Sequence, residues 1–478
     1  MFKPRIELDK AIDVSLLEKM HEKALEILDN IGMKVTNKHI LKRIGGVKGF
    51  KIEYERVKIK PELVEALVEE YRVQVRKEDW KRKGDLEEIT VLSTGYPGCT
   101  HILDPETDEL RPLSTKDVID ATKLIDSLYD WGVRGGAPGA PQDVPPNLRR
   151  VLQCKIGYEY SRSASYAPFE NYVEAEYIRR MAKVIGQKFN VDVYVVSPLR
   201  LEGVSVDRAI SFLEEGDCEG LSVSSMPLTG ATAPIYPIGA FTQGIAEALG
   251  GYVILHEAYP KIPIRFEVGA FQFDLKYGNI VFGSPEQILM DLIGVAVDQF
   301  YGLPTIYGVR SFRTMAKMVD VQAQAEKATS ATVGVLTGPG TFNMSGVLSL
   351  DEIFSPVQLI IDCEIARYLS KLARGLSFSE EELERSMDII ERCAQKGTYF
   401  MDKTTLNEYK RIYWQPHLFD YSLFHTSRGE MKSLIERAKE MARRKIAGHN
   451  FQLEEDKKRK LEEIYREAVK NIPSTKGI

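Results

Sequence analysis

Two rhythms of apolar residues run along the chain. Leu16, Leu17, Met20, Ala24, Leu25, Ile27 and Leu28 keep the 3.6-residue spacing of an amphipathic helix. Pro61 opens a second helix, in a first turn where its missing N–H has no bond to forfeit, and Leu63, Val64, Ala66 and Leu67 supply the apolar face. The first 75 residues therefore read as helical. Beyond them, short apolar runs alternate with longer amphipathic stretches. The pattern predicts strands over 89–93, 131–134, 155–160, 191–196, 220–224, 262–268, 305–309 and 335–342. Helices are predicted over 114–129, 173–185, 207–215, 238–257, 284–301 and 320–333.

Strand–helix alternation implies parallel strands, because a parallel neighbour is reached only through a crossover. About eight such units fit a closed (β/α)8 TIM barrel better than a doubly wound open sheet, although periodicity alone leaves the open sheet standing. No Gly-x-Gly-x-x-Gly follows an early strand, which removes the main signal for dinucleotide binding. The expected organisation is an N-terminal helical segment over 1–88, an α/β barrel core over 89–350, and C-terminal helices over 351–478 that complete and cover it. The last of these, over 454–470, is so charged that it reads as solvent-facing.

Composition narrows the function classes. With 478 residues, 44% apolar and 28% charged, the chain has the make-up of a globular protein with ample core. A formal charge of −5 gives no global basic field for nucleic acid, and the basic tracts 76–83 and 457–460 sit among acidic neighbours. Five cysteines without a Cys-x-x-Cys pair argue against a disulfide framework and a structural zinc site. The N-terminus lacks a positive-then-apolar signal, and no uninterrupted apolar run approaches the roughly 18 residues of a membrane span, so a cytoplasmic location is expected.

Familiar catalytic sets are missing. There is no Gly-x-Ser-x-Gly, no phosphate loop and no His-Glu-x-x-His, and the seven histidines form no ligand-spaced cluster. His256, beside Glu257 in an apolar helix, reads as a core or interface histidine; His101, His417 and His425 are isolated. Loops over 95–98, 135–139, 225–234 and 338–340 are rich in Gly, Pro or aromatics, a composition that serves either tight turns or close approach to a ligand.

A set of ordered motifs carries more. Leu103-Asp104-Pro105-Glu106-Thr107-Asp108-Glu109-Leu110-Arg111-Pro112 is followed by the run 117–126, by Gly230-Ala231-Thr232-Ala233-Pro234 with Ala246-Glu247, and by Phe282-Gly283-Ser284-Pro285-Glu286. Tyr301-Gly302-Leu303-Pro304 comes next, then Ala316-Lys317 with Asp320, Gln322, Glu326 and Lys327, and finally Tyr413-Trp414-Gln415-Pro416-His417-Leu418-Phe419-Asp420. In order and spacing these resemble the trimethylamine methyltransferase family over residues 15–428. The resemblance implies transfer of a methyl group from a tertiary or quaternary amine to the Co(I) of a corrinoid (cobalamin) carried by a partner protein. It also implies that the chain binds no cofactor of its own and that it forms a homo-oligomer. Such chemistry accounts for the missing catalytic sets. Co(I) is itself the nucleophile and a neutral amine leaves without a proton, so the enzyme contributes orientation and exclusion of water.

Two departures from the family pattern bear on the substrate. Trimethylamine-using members carry pyrrolysine after the strand corresponding to 305–309, where this chain has only Val309, Arg310, Ser311, Phe312 and Arg313. It therefore resembles the subgroup without pyrrolysine, which uses quaternary amines such as betaines. Some betaine-using relatives have His-Asp-x-Gly where Asn343-Met344-Ser345-Gly346 stands here, which removes an imidazole from a substrate carboxylate. Arg310 is then the candidate to hold such a carboxylate bidentately. A quaternary ammonium has no N–H and is recognised by aromatic faces or negative charge, which selects Tyr96, Tyr236, Phe271, Tyr307, Phe312 and Phe342 near strand ends, with Asn343 beside them and Glu267 as the acid. Two other readings compete: a barrel lyase or hydrolase using Glu267 and Asp274 for acid–base work, and a non-catalytic relative that only binds a small cation.

Overall fold

The computed structural model describes residues 4–8, 12–77, 89–93, 97–169, 171–216, 218–303, 311–338, 340–424 and 432–472; of 74–77 and 89–91 it describes the backbone alone. It is a mixed α/β protein. Its N-terminal part is not purely helical. Helix Val14–Asn30, capped by the Asp13 side chain accepting from the Ser15 N–H, leads into strand Met33–Val35 and the hairpin Phe50–Glu53 and Arg56–Ile59. Those strands are three or four residues long, too short for their alternation to stand out beside the helices around them. Met33–Val35 also runs parallel to Arg200–Leu201, which ties this preface to the body of the protein.

Parallel strands form two arcs. In the first, Gly220–Ser224 lies between Asn190–Tyr194 and Ile264–Glu267. In the second, Ile89–Ser93 lies between Gly340–Phe342 and Val133–Arg134, so the last of the expected strands is beside the first. Among the described residues no ladder closes the arcs into a ring, and 305–309 lies outside them. The expected strand over 155–160 is instead the end of helix Arg149–Tyr160. That helix buries Val151, Leu152, Gln153, Cys154, Ile156, Gly157 and Tyr158, nearly all round, so its sequence shows no helical stripe. After it, an irregular segment bridges the arcs. Ser161 Oγ donates to Gly135 O (2.6 Å), and the Tyr166 hydroxyl donates to Asn190 O (2.7 Å). The run 335–342 likewise splits, its start closing helix Val321–Leu336 and only Gly340–Phe342 forming strand.

Helix Pro237–Ala258 is long and apolar enough to cross a membrane, yet 78% of its most apolar window is buried inside the protein. Its glycines explain how: a Cβ on Gly250 would lie 2.8 Å from Leu28 and Met33, and one on Gly251 would lie 2.7 Å from Val223. Only glycine lets this helix approach both the N-terminal helix and the first arc. The C-terminal helix Glu455–Asn471 is not simply solvated. It buries Leu461, Ile464 and Ala468, and Glu467 pairs with Arg180 at 2.7 Å.

Behind the second arc lies a fully buried ion pair. Lys327 on helix Val321–Leu336 reaches Asp362 on helix Pro356–Arg374 at 2.9 Å, both side chains wholly inaccessible. Burial pushes the lysine down and the aspartate up, and each partner's charge opposes the shift. Removing one member of such a pair strands the other charge at a cost of about 3–5 kcal/mol. Lys327→Met should therefore lower unfolding free energy in urea by roughly that amount. Adding Asp362→Leu should recover only part of the loss, because the Gly346 N–H and the Gln358 amide also depend on that carboxylate.

Candidate functional site

Side chains alternate across the first arc. Val191, Val193, Leu221, Val223, Ile264 and Phe266 are buried against the helices, while Asp192, Tyr194, Ser222, Ser224, Arg265 and Glu267 share the opposite face. Register sets them in two rows: Ser222 lies between Asp192 and Arg265, and Ser224 between Tyr194 and Glu267. A sheet face built only for packing would be aliphatic. This one carries charge, which suits a polar ligand.

Glu267 is the most perturbed group here. It accepts from Ser224 Oγ at 3.2 Å, and its pKa is pushed up to about 7. Burial is the main cause and the negative charge of Asp192 the next, opposed by Ser224, Ser222 and Arg265. The Asp192 carboxyl is also raised: water reaches it, but protein surrounds it on most sides and limits solvation of the charge. Neither Asp192 nor its row was picked out from sequence. The signal was present in Asn190-Val191-Asp192-Val193-Tyr194, a half-buried strand whose other face is polar.

The loops at the strand ends are fastened to one another. The Ser225 N–H donates to Glu267 O (3.2 Å), Phe271 N–H to Pro227 O (2.9 Å) and Thr229 N–H to Phe271 O (2.9 Å), so the glycine- and proline-rich loop after Ser224 is zipped to the loop after Glu267. Phe271 is half-buried, and its ring and that of Phe282 receive the Arg313 guanidinium at 5.6 and 4.3 Å. Arg313 in turn pairs with buried Asp291 at 3.2 Å. The cation expected at Phe271 is thus Arg313 of the chain itself.

Across the second arc, Phe312 N–H donates to Asn343 O (2.9 Å). The turn Asn343–Gly346 is held from behind by the buried pair: Lys327 Nζ donates to Met344 O (3.1 Å) and the Gly346 N–H to Asp362 Oδ2 (2.7 Å). Gly346, with φ +76°, occupies the left-handed region that this turn requires. Asn343 Oδ1 and Ser345 Oγ are buried without a hydrogen-bond partner among the described residues. Buried polar atoms are seldom left so, and two within three residues make this turn a candidate contact for a polar ligand.

Several expected residues fall elsewhere. Phe312 and Phe342 are fully buried and pack on each other at 6.1 Å, forming a wall behind Asn343 instead of a surface that a ligand meets: Phe342 takes a core-facing position of its strand, and Phe312 lies in a stretch, 311–314, that is buried throughout. Tyr236 is 73% exposed at the start of helix Pro237–Ala258. Tyr96, Tyr307 and Arg310 lie outside the described residues. Asp274, the proposed acid–base partner of Glu267, is used locally: its Oδ1 accepts from the N–H groups of Lys276 (2.7 Å) and Tyr277 (3.1 Å), closing its own turn.

Many motif residues turn out to be locks. Arg111 clamps Asp104 (2.7 Å) and Asp117 (2.5 Å). Glu364 Oε1 receives the N–H groups of His417, Leu418 and Phe419 at 2.7–3.0 Å, and Glu247 receives those of Leu199 and the Gln243 amide together with the Ser197 hydroxyl. Among the described residues no group of three or more His, Cys, Asp or Glu could hold a metal ion.

The raised Glu267 pKa has a consequence for stability. Its ordinary value is 4.5, so the folded state favours the protonated form; that stabilisation is fully present below pH 4.5 and lost as pH rises through about 7. Glu267→Gln keeps the neutral shape, and should melt with the wild type at pH 4.5 and above it at pH 8. Calorimetry at both pH values checks this, and a difference that does not change with pH would place the titration elsewhere.

Comparison with known proteins gives the family. The model of the trimethylamine methyltransferase family matches residues 4–471. A glycine betaine methyltransferase of Desulfitobacterium hafniense is 24% identical over 88% of this chain and 89% of its own length. A proline betaine:corrinoid methyltransferase of Eubacterium limosum is 24% identical over 94% and 96%. The crystal structure of the Methanosarcina barkeri monomethylamine methyltransferase superposes with a TM-score of 0.44 at 12% identity, covering 92% of this chain and 88% of that one. With its family pattern matched from near one end to the other, the chain belongs to the trimethylamine methyltransferase family.

Proposed function

We propose that the protein transfers a methyl group from a quaternary amine, a betaine first among them, to the Co(I) of a corrinoid on a partner protein. The observation that carries this is near-full-length similarity to two proteins named for betaine methyl transfer, in a chain with standard residues where the trimethylamine users place pyrrolysine. The polar inner face supports it. An ammonium without N–H groups needs negative charge and aromatic surface, and Asp192, Glu267 and Tyr194 offer both in adjacent rows.

The two arcs read best as parts of one (β/α)8 barrel. Gly340–Phe342 lies beside Ile89–Ser93, as ring closure requires, and 161–169 and 305–309 occupy the sequence positions of missing staves. Exposed Tyr194, Met226, Ile235 and Tyr236 then form an open, partly apolar rim on which a corrinoid protein could seat its cofactor.

In the reaction the methyl–nitrogen bond breaks, its electron pair stays on nitrogen, and a methyl–cobalt bond forms from the Co(I) pair. No proton moves, so Glu267 acts as a counter-charge and not as an acid. The ammonium loses its charge as the methyl leaves. A carboxylate in tight contact would therefore hold the ground state more than the transition state, and a group with pKa near 7 is the milder choice. Arg310 is the proposed anchor for a substrate carboxylate, because its planar fork can grip both oxygens.

The test is to reduce a free corrinoid to Co(I), add protein, and follow conversion to methyl-Co(III) by visible absorption across quaternary and tertiary amines. Betaines should give the methylated product, whereas turnover of any substrate without corrinoid would overturn the reading. Half-saturation should fall between pH 6 and pH 8 as Glu267 ionises, and Glu267→Gln should flatten that profile. Arg310→Lys should weaken a betaine more than a quaternary amine lacking a carboxylate; equal effects on both would remove Arg310 from the anchor role.

A further inference from the structure

Two helices of the C-terminal part have almost no core of their own. In Glu380–Cys393 only Cys393 is buried, and in Lys403–Ile412 no residue is. Yet both are strongly amphipathic. Leu383, Met387 and Ile390 form a stripe at i, i+4 and i+7 on the first, while Leu406, Tyr409 and Tyr413 repeat it at i, i+3 and i+7 along and just past the second, and all six are exposed. Between the helices, Phe400 and Met401 are each 83% exposed. The Arg392–Asp402 ion pair at 2.9 Å joins the two helices into one unit. Isolated helices of this length are marginal in water, so a stripe of this kind must be covered for the helices to persist.

Two features say what covers it. The first is extent: with Phe378 and Tyr399 the apolar surface is on the order of 1,000 Å² per chain, comparable with the roughly 800 Å² per partner of a standard stable interface. Such a dry apolar face suits a permanent contact, whereas a protein that must dock and leave in each reaction cycle is served by a smaller, more polar one. The second is charge. Glu380–Cys393 carries six acidic residues against two basic, and Lys403–Ile412 carries three basic against one acidic. A two-fold rotation that lays the acidic helix of one copy along the basic helix of another joins the apolar stripes and sets opposite charges on their flanks, twice over.

We propose that this face is a two-fold interface with a second copy of this chain, helix Glu380–Cys393 of each copy packing on helix Lys403–Ile412 of the other. The inference does not depend on the reaction assigned above.

Sedimentation velocity on the full chain through a dilution series tests it. The wild type should sediment as a dimer or a multiple of dimers at micromolar concentration. Met387→Glu with Leu406→Glu, both exposed, should raise the dissociation constant at least about 100-fold, as loss of interface hot spots does, with circular dichroism unchanged. A second pair of variants separates interface loss from misfolding. Chains carrying Glu381→Lys and Glu384→Lys, or Lys403→Glu and Lys410→Glu, should each associate weakly alone, while an equimolar mixture of the two should recover association because both helix contacts are again complementary. A monomeric wild type, an assembly that these substitutions leave intact, or a mixture no tighter than its components would overturn the proposal. So would a wild type that gains mass only with a corrinoid protein, which would give the face to that partner.

Discussion

The Lys327–Asp362 pair is the constraint on which one side of the site depends. Two opposite charges without solvent are tolerable only when geometry and extra hydrogen bonds replace what water gave. Here the replacements are the Met344 carbonyl for the lysine, and the Gly346 N–H and Gln358 amide for the aspartate. Those same bonds fix the turn that presents Asn343 and Ser345. The pair therefore joins two helices and a strand-end turn in one polar knot, and it can form only if all three are in place. Arg313–Asp291, Glu247 and Glu364 repeat the device elsewhere, each a buried charge bonded to a loop. Loops held in this way are positioned by the core and not by their own turn propensities.

Against that rigid surround, the polar face of the first arc is left chemically poised. Glu267 sits where burial and the neighbouring Asp192 charge hold its carboxyl near neutrality, and no residue in the described surroundings neutralises it outright. A cation arriving there shifts the balance toward the ionised form. On the reading proposed above, the same electrostatics that cost stability at high pH become affinity for a charged substrate, and recognition requires no hydrogen bond to an ammonium that has none to offer.

How much of this could be read from sequence depended on length and on burial pattern. Helices such as Thr115–Ser127 and Pro285–Tyr301 were clear because their faces differ and their ends carry capping serines. Strand Gly220–Ser224, with Leu221 and Val223 set between small residues, forms where a short strand is predicted. The end of helix Arg149–Tyr160 reads as a strand because burial on nearly every side erases the helical period, and the N-terminal hairpin does not show because its strands are so short. Glu267 was found, as an acid ending an apolar run. Asp192 was not, because significance came from its row and not from its neighbours in sequence. Motif residues such as Arg111 and Glu247 mark the family well but serve structure, which no spacing could have revealed.

The central claim is that a carboxylate poised near pH 7 reads a fully substituted ammonium on the polar face of the first arc. Proton release on binding measures it directly. Calorimetric titration of the protein with a betaine at pH 7, in buffers of different ionisation enthalpy, should show release of about half a proton per site, since a group with pKa about 7 is half protonated before the cation binds. In Glu267→Gln that release should be lost while binding persists with lower affinity. Heat that is independent of the buffer in the wild type, or proton release that survives in the variant, would contradict the account.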